Sequence, residues 1–313
     1  MKHASVRLPV FLAFLILLVS VHRSAASEPG GAQPRFKAAG GGEFEFNTGV
    51  LSGKLRAEGK SVGLLPVVHV PTDAVLTRSM GFAGHYRVFS ANHRYGEGAW
   101  YWPSEAKLLA NGAVEGHWPA AGDRPFEMWA VYRWARPDTL DVETRVRPQA
   151  ELRDFELFLA SYFSEAFTSS TVRGHDPAGQ PAFLPADEAN GVWQMFPRDR
   201  DVVRLIQDGR WKIEPHPVDW VIRPALTQPI AVRRDVSTGT TAVLMAPPED
   251  CFAVATPHQR EPHYSLYLSL FGRTIKPGEL VRARVRLAIL TSPSEAQILG
   301  VYRAYLEDLG RSR

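Results

Sequence analysis

The sequence predicts a mostly β protein, built as a large antiparallel β-sandwich with one C-terminal helix. Apolar and polar residues alternate with a period of two over long stretches, turn residues separate those stretches, and helical spacing is confined to two segments. Alternation of this kind buries one face of each strand and exposes the other. A chain of 313 residues is long enough to bury a sandwich core.

The strand pattern is clearest in residues 140–147 and 281–289, where apolar side chains alternate with charged ones. Residues 126–134 and 155–163 are rich in aromatic residues, which is typical of strands. The run FELFLASYF at 155–163 is apolar on both faces, so it predicts a strand covered by packed layers on both sides. Many antiparallel strands in one long chain favour two packed sheets.

Helix signals are strongest near the C-terminus. Ser292-Pro293-Ser294-Glu295 predicts a capping box with Pro at the first helical position. Apolar residues then recur at helical spacing from Ile298 to Leu309, and Gly310 is placed to end the helix. A shorter helix is predicted over Asp199 to Asp208, with Gly209 ending it.

Composition divides the chain into three parts. Residues 1–26 predict a secretory signal peptide, residues 27–42 a flexible leader rich in Gly, Pro and Ala, and residues 43–313 a single β-sandwich domain. Within the domain, residues 164–197 are rich in Gly, Pro, Asp and Ser and have no clear period. They predict a long loop, of the kind that often serves as a lid or a binding loop.

The N-terminal segment sets the expected location of the protein. Basic residues precede the apolar run Leu8–Val21, and small residues follow it at 24–26. The run is shorter than the ~20 residues of a membrane span, so a cleaved signal peptide is favoured over the alternative, an uncleaved anchor. The sequence therefore predicts a secreted or periplasmic protein, and its only cysteine, Cys251, excludes an intramolecular disulfide.

The charge balance argues against two classes of partner. The formal net charge is +3, but residues 1–26 hold three basic residues and no acidic one, so the rest of the chain is neutral. A neutral chain has no net electrostatic attraction for nucleic acid or for an anionic membrane. We expect no nucleic-acid partner and, after signal cleavage, no membrane partner.

The richest candidate for a functional site is HYRVFSANHRYGEGAWYWP, residues 85–103. Sugar rings stack on aromatic faces, and sugar hydroxyl groups hydrogen-bond to Arg, Asn, His and carboxylate side chains. The candidates in this segment are Arg87, Asn92, His93, Arg94, Glu97, Trp100 and Trp102. If the segment is extended, Trp100 and Trp102 share one side and Tyr101 points away. The alternative is that these aromatic residues belong to the core.

The second candidate segment is PHQREPHYSLYLSLF, residues 257–271. It leads from Glu261 and His263 into a strand with one leucine face and one face of Ser and Tyr that includes Tyr267. A His beside a Glu is the minimum set for general acid–base work. The alternative is a plain polar face exposed to water.

No metal and no cofactor are predicted. His258 and His263 are five residues apart and lie in a predicted loop and strand, which is not the helical His-Glu-x-x-His arrangement. No glycine-rich phosphate loop and no Gly-x-Ser-x-Gly elbow is present. Cys251 lies in the apolar run CFAVA, which favours a buried side chain over a nucleophile.

The chain resembles the galactose mutarotase-like β-supersandwich superfamily from about Phe44 to Leu290. The resemblance is in the overall pattern, in the Asn92-His93-Arg94 loop with its aromatic neighbours, and in the late strand LSLFG, residues 268–272, before a Lys-Pro-Gly-Glu turn. It implies a supersandwich fold, which also occurs in glycoside hydrolases, polysaccharide lyases and sugar-phosphate epimerases. The His-Gly-Gly and Glu-Thr-Gln motifs of aldose epimerases are absent, so the resemblance assigns no catalytic residue.

The residues and the resemblance together predict a secreted protein that handles a polysaccharide or an oligosaccharide. As an enzyme of the epimerase, hydrolase or lyase type, it would use His93 or His263 as acid and Glu97 or Glu261 as base. Trp100 and Trp102 would stack on the sugar, because Gly and Pro around them predict a loop at the rim of a groove. The alternative is a non-catalytic glycan-binding or structural envelope protein. Residues 85–102 lying beside residues 258–267 would favour the enzyme.

Overall fold

The computed structural model describes Met1, residues 33–78 and residues 80–311. The predicted signal peptide lies outside the described residues except for Met1. From Gln33 onward the chain clusters as one compact unit. No helix in the described residues is both long enough and apolar enough to cross a bilayer.

Strands dominate the described residues, which confirms the mostly β prediction. In chain order they are β1 Lys37–Gly40, β2 Glu43–Asn47, β3 Leu51–Arg56, β4 Gly63–His69, β5 Ala74–Val75, β6 Gly84–Ser90, β7 His93–Arg94, β8 Glu105–Leu108, β9 Val114–Trp118, β10 Phe126–Arg136, β11 Thr139–Pro148, β12 Leu152–Tyr162, β13 Ser169–His175, β14 Pro181–Pro185, β15 Trp193–Pro197, β16 Val221–Ile222, β17 Leu226–Arg234, β18 Thr240–Met245, β19 Cys251–Pro257, β20 Ser265–Ile275 and β21 Val281–Thr291. The α-helices are α1 Val203–Ile206 and α2 Glu295–Arg311.

The strands form three sheets. Nine strands run in the order β14-β13-β17-β18-β21-β11-β10-β9-β8, seven in the order β16-β15-β19-β20-β12-β6-β7, and five in the order β1-β2-β3-β4-β5. Neighbouring strands are antiparallel, except β15 and β16, which are parallel. The largest cluster of buried apolar side chains draws Val142 and Val285 from the nine-stranded sheet and Leu157 and Leu268 from the seven-stranded sheet. The two large sheets therefore pack face to face around one core, as the predicted β-sandwich requires.

Strand β12 explains how the sandwich carries a site on its outside. Leu157 and Leu159 point into the main core, while Phe158 and Ala160 belong to a second apolar cluster. Because alternate residues of a strand point to opposite faces, this second cluster lies on the outer face of the seven-stranded sheet. The prediction that residues 155–163 are covered on both faces is thus confirmed, and the outer cover is the region described below.

The C-terminal helix is confirmed, but it continues through Gly310 to Arg311, and its N-terminal cap differs from the prediction. Ser294 and Gln297 form the capping box: the Gln297 amide N–H donates to the Ser294 hydroxyl, and the Ser294 N–H donates to the Gln297 side chain. Ile298, Tyr302 and Tyr305 pack on β17 and β18 at the outer face of the nine-stranded sheet. The second predicted helix is only four residues long, α1. Before it, the Asp199 carboxylate accepts hydrogen bonds from the backbone N–H groups of Asp201 and Val202, and the helix ends at Ile206.

Two predicted irregular segments contain strands. In the predicted leader, Lys37–Gly40 forms β1, whose four residues are all exposed, so the strand has no apolar alternation that its sequence could reveal. Phe36 just before it is buried against Phe46 and Trp134. The predicted loop 164–197 contains β13, β14 and β15, which extend the two large sheets. Its Gly and Pro residues lie mainly between or at the ends of these short strands, so the segment is not a lid.

Candidate functional site

The outer face of the seven-stranded sheet carries a cavity of about 570 Å³. Strand β12 lies in the middle, with β20 paired on one side and β6 on the other. Nine aromatic side chains line the cavity: Tyr86, Trp100, Tyr101, Phe158, Tyr162, Trp193, Trp211, Trp220 and Tyr267. The cavity is therefore a wide aromatic hollow on a rigid sheet, the setting in which ligand sites are usually found.

Sheet register brings the two predicted segments together. Ala160 of β12 is paired with Tyr267 of β20 and with Gly84 of β6, so both neighbouring strands meet it at one level. Arg87 and Glu97 from residues 85–103 line the same cavity as His263 and Tyr267 from residues 257–271. This is the arrangement that favours the enzyme hypothesis.

A third segment completes the cavity, and the sequence reasoning missed it. Residues 208–220 contribute Trp211, His216 and Trp220 to the wall. Trp211 and Trp220 pack edge to face with their ring centroids 5.1 Å apart. A signal was present in the sequence, because two Trp residues, a His and two Pro residues fall within ten positions that have no strand or helix period.

Arg210 holds that third segment on the sheet. Its guanidinium is fully buried and donates to the Glu156 carboxylate of β12 at 3.1 Å and to the Asp208 carboxylate at 2.8 Å. It also donates to the Asp154 carbonyl at 2.9 Å, and Ser269 donates to the other Glu156 oxygen at 2.8 Å. Burial alone would lower the pKa of Arg210, but the carboxylates of Glu156 and Asp208 outweigh it and raise that pKa, so Arg210 is a charged anchor.

Arg94, predicted to bind substrate, does not line the cavity. All three of its guanidinium nitrogens donate to backbone carbonyls: those of Gly96 and Glu97 in its own turn, and those of Ile213 and Pro215 in the third segment. Its donors are used in joining two loops, so the structure makes Arg94 a positioning residue for the wall that holds Glu97 and His216.

The tryptophan prediction needs correction. Ala99–Tyr101 is a turn of 3₁₀ helix, so Trp100 and Trp102 are not on one side of an extended segment. Trp102 is buried in the main core, against Phe126 and under the Arg124 guanidinium. Trp100 is buried but lines the cavity and stacks on Tyr86 with 4.1 Å between ring centroids. Tyr101, expected to point away, also lines the cavity and is 46% exposed.

Of the remaining candidates in residues 85–103, Glu97 lines the cavity, whereas Asn92 and His93 do not. Asn92 and His93 are exposed in the turn between β6 and β7 and do not line the cavity; His93 packs edge-on against Tyr95. Asn92 has a φ of 64°, which fits that tight turn. Glu97 lines the cavity, and its carboxylate makes no hydrogen bond or ion pair with the described residues.

His263 and Glu261 form a dyad at the cavity. The two are joined by a hydrogen bond of 2.7 Å between the His263 Nδ1 and the Glu261 carboxylate, which also accepts from the His263 backbone N–H. Burial acts to raise the pKa of Glu261, but these hydrogen bonds outweigh it and hold the pKa below its usual value. Glu261 is therefore ionised at neutral pH and accepts from Nδ1, which leaves His263 Nε2 without a hydrogen-bond partner among the described residues.

Tyrosine hydroxyls lie at the floor of the cavity. Ser265 donates to the Tyr267 hydroxyl at 2.7 Å, and Tyr162 lies beside it in edge-to-face contact. Burial raises the pKa of Tyr267 to about 12 and that of Tyr162 well above its usual value. Both hydroxyls stay protonated at neutral pH and can donate hydrogen bonds to a ligand.

Two titratable residues near the site belong to the core instead. His85 is fully buried between Thr144 and Tyr132, and burial lowers its pKa to about 3, so it stays neutral. Cys251 is fully buried, and burial raises its pKa to about 12, so it is a thiol and not a nucleophile. In the described part of the chain, no three His, Cys, Asp or Glu side chains group as metal ligands would.

We expect the Glu261→Gln variant to lose stability only where Glu261 is ionised. The pKa of Glu261 is lower in the folded chain than its usual 4.5, so its stabilising effect is complete above about pH 5 and is lost as the pH falls through the folded value. Urea unfolding should therefore show a cost of ~1 kcal/mol at pH 7 that shrinks at pH 3.

Glu151→Gln is the matched control, because Glu151 is exposed and makes no hydrogen bond or ion pair among the described residues. It should change the free energy of unfolding little at either pH. An equal cost of Glu261→Gln at pH 7 and pH 3 would contradict the dyad as described.

Comparison with known proteins identifies the fold. The galactose 1-epimerase from Lactobacillus acidophilus NCFM superposes with a TM-score of 0.50 at 10% identity, over 80% of this chain and 95% of that one. An alpha-N-acetylgalactosaminidase from Bifidobacterium bifidum superposes with a TM-score of 0.52 at 15% identity, over 86% of this chain, which spans 39% of that enzyme. No family model and no curated protein sequence matches the chain. The chain has the galactose mutarotase-like fold.

Proposed function

We propose that the protein binds a saccharide in this cavity and acts on it by acid–base chemistry, with His263 as the central proton-transfer group. The observation that carries the proposal is the His263–Glu261 dyad at the edge of a cavity that nine aromatic side chains line. The location proposed for this activity is outside the cytoplasm, as residues 1–26 predict.

The aromatic walls suit a sugar ring. The faces of pyranose rings are apolar C–H surfaces, which pack on Trp and Tyr, and their hydroxyl groups need donors and acceptors at the edge. Tyr101 is exposed at the cavity, and the Tyr162 and Tyr267 hydroxyls are protonated donors on its floor. The indole nitrogens of Trp100, Trp211 and Trp220 are buried and find no acceptor among the described residues, and a ligand rich in hydroxyl oxygens would supply one.

The titratable groups suit proton transfer. His263 Nε2 is the available base, since Nδ1 is held by Glu261. Glu97 places a second, unpaired carboxylate at the same cavity. An acid–base pair of this kind can take a proton from a sugar atom, as in epimerase and lyase chemistry, or from the attacking water, as in hydrolysis, and give one to a sugar oxygen. The fold neighbours with the same architecture are named as a galactose epimerase and an N-acetylgalactosaminidase, which supports a carbohydrate as the ligand.

The experiment that tests this function is a glycan array followed by product analysis on each bound glycan. We expect turnover of at least one bound glycan, and we expect His263→Asn to lower kcat at least ~100-fold with little change in affinity. His258→Asn is the matched control, because His258 lies in the same loop but does not line the cavity.

Two results would contradict the proposal in different ways. Binding without any product would show the non-catalytic glycan-binding protein that the sequence left as an alternative. A protein that binds no glycan would leave the structural envelope alternative.

A further inference from the structure

Arg87 is a buried cation in the cavity wall whose hydrogen bonds are incomplete. It lies on β6 and is only 4% exposed. Nη2 donates to the His216 carbonyl at 2.7 Å, and the Tyr86 hydroxyl lies 3.4 Å from the same nitrogen. Nε and Nη1 are buried and have no acceptor in the part of the chain that the structure describes. Three of the five N–H groups of the guanidinium are therefore unused.

The charge of Arg87 also lacks a neutralising partner. Arg210, Arg284 and Arg286 are buried arginines that each contact a carboxylate. Arg94 and Arg233 are buried without one, but their guanidinium groups each donate to several backbone carbonyls. Arg87 makes no ion pair among the described residues and instead lies 5.1 Å from the ring centroid of Tyr86 and 5.3 Å from that of Trp211. These rings offset part of the cost of burying a cation, and a carboxylate in the cavity would offset more.

The groups that Arg87 contacts, Tyr86, Trp211 and His216, line the cavity, so an acceptor for its remaining N–H groups would come from there. Arg94 is near enough to repel Arg87 and supplies no acceptor. Arg78 is exposed at the same cavity and adds a second positive charge, while Glu97 is the carboxylate that lines it. Among the described residues that line the cavity, the charges of Arg87, Arg78 and Glu97 sum to +1, which a ligand with one negative charge neutralises.

We propose that the saccharide is acidic and carries a carboxylate, as in a uronic acid residue, and that Arg87 accepts this carboxylate into the cavity. The inference rests on the proposed function for the sugar and adds the chemical class of the sugar. The ring stacks on the aromatic walls, and its carboxylate accepts hydrogen bonds from the unused N–H groups of Arg87.

The test compares oligomers of galacturonic, glucuronic and mannuronic acid with their methyl esters, which have the same ring and no charge. Titration followed by tryptophan fluorescence should show at least one acid bound ~10–100-fold more tightly than its ester, the range of a hydrogen-bonded ion in a protein site. Neutral and sulfated oligosaccharides and choline complete the panel, and they separate a carboxylate from a sulfate ester and from a cation in the aromatic cavity.

Three arginine variants test whether Arg87 is the residue that binds the carboxylate. Arg87→Met should abolish the difference between acid and ester, Arg87→Lys should retain part of it, and Arg153→Met, at an exposed arginine outside the cavity, should leave it unchanged. We expect Arg87→Met to fold with little change in Tm, because it removes a buried charge that has no carboxylate partner. The acid–ester comparison in the wild-type chain tests the ligand class without any variant.

Each result bears on one proposal or the other. The inference would be overturned by equal affinity for acid and ester, by tighter binding of sulfated sugars or choline, or by no uronate binding at all. If the protein also turned over a neutral glycan, the proposed function would remain intact. Tight, Arg87-dependent uronate binding without product would support the inference and contradict the catalytic part of the proposed function.

Discussion

Replacing Arg210 with Met is expected to lower the free energy of unfolding by about 3–5 kcal/mol, because it leaves a buried carboxylate without its cation. Arg210 is fully buried and is the cation that contacts Glu156. In a domain of this size, a loss of that magnitude corresponds to a fall in Tm of roughly 6–15 °C. Thermal and urea unfolding measure it directly.

Two further variants make the expectation specific. Arg204→Met removes an arginine of the same region whose pair with Asp154 is exposed to solvent, and it should change the free energy of unfolding little. The double variant Glu156→Leu with Arg210→Met removes both buried charges and should recover part of the loss. If Arg210→Met were as stable as Arg204→Met, Arg210 would not anchor the segment.

The same anchor links stability to the site. Residues 208–220 supply Trp211, His216 and Trp220, and their hold on the sheet passes through the Arg210 contacts and the Arg94 contacts. Arg210→Met should therefore weaken saccharide binding even under conditions in which most molecules remain folded. A local opening of this segment would need less free energy than global unfolding.

The sequence was sufficient to predict the fold wherever side chains alternate. Strand β12 is a clear example, because its two apolar faces indicated a cover on each side before the structure showed one. Strand β1 could not be found in this way, since all four of its side chains are exposed and only pairing with β2 defines it. The cap of α2 was misplaced because two Ser residues, Ser292 and Ser294, were both suitable.

The site was predictable in part, for a related reason. Residues 85–103 and 257–271 were found because each concentrates chemistry in a short run, and sheet register then placed them on either side of β12. The contribution of residues 208–220 depends on a buried contact to Glu156, more than fifty residues away, which no local pattern reports. The role of Arg94 was missed because its acceptors are backbone carbonyls of another loop.

Trp102 and Tyr101 are neighbours in the sequence, but Trp102 lies in the main core and Tyr101 lines the cavity. Trp102→Ala is expected to cost about 3–5 kcal/mol in the free energy of unfolding, because Trp102 is 5% exposed and fills the main core between Phe126 and Arg124. Tyr101→Ala, one residue earlier, should change that free energy by less than ~1 kcal/mol, because Tyr101 is 46% exposed and lies outside the core.

Saccharide binding should respond in the opposite order. Tyr101 lines the cavity, and the loss of one stacking ring should weaken affinity by roughly 0.5–1.5 kcal/mol, or about two- to tenfold. Trp102 does not line it, so Trp102→Ala measured below its lowered Tm should bind saccharide nearly as the wild type does. A Tyr101→Ala variant with full affinity would remove Tyr101 from the site, and a stable Trp102→Ala variant with lost affinity would return Trp102 to it. Spacing alone could not decide between these neighbours, since one turn of 3₁₀ helix reverses the side that an extended segment predicts.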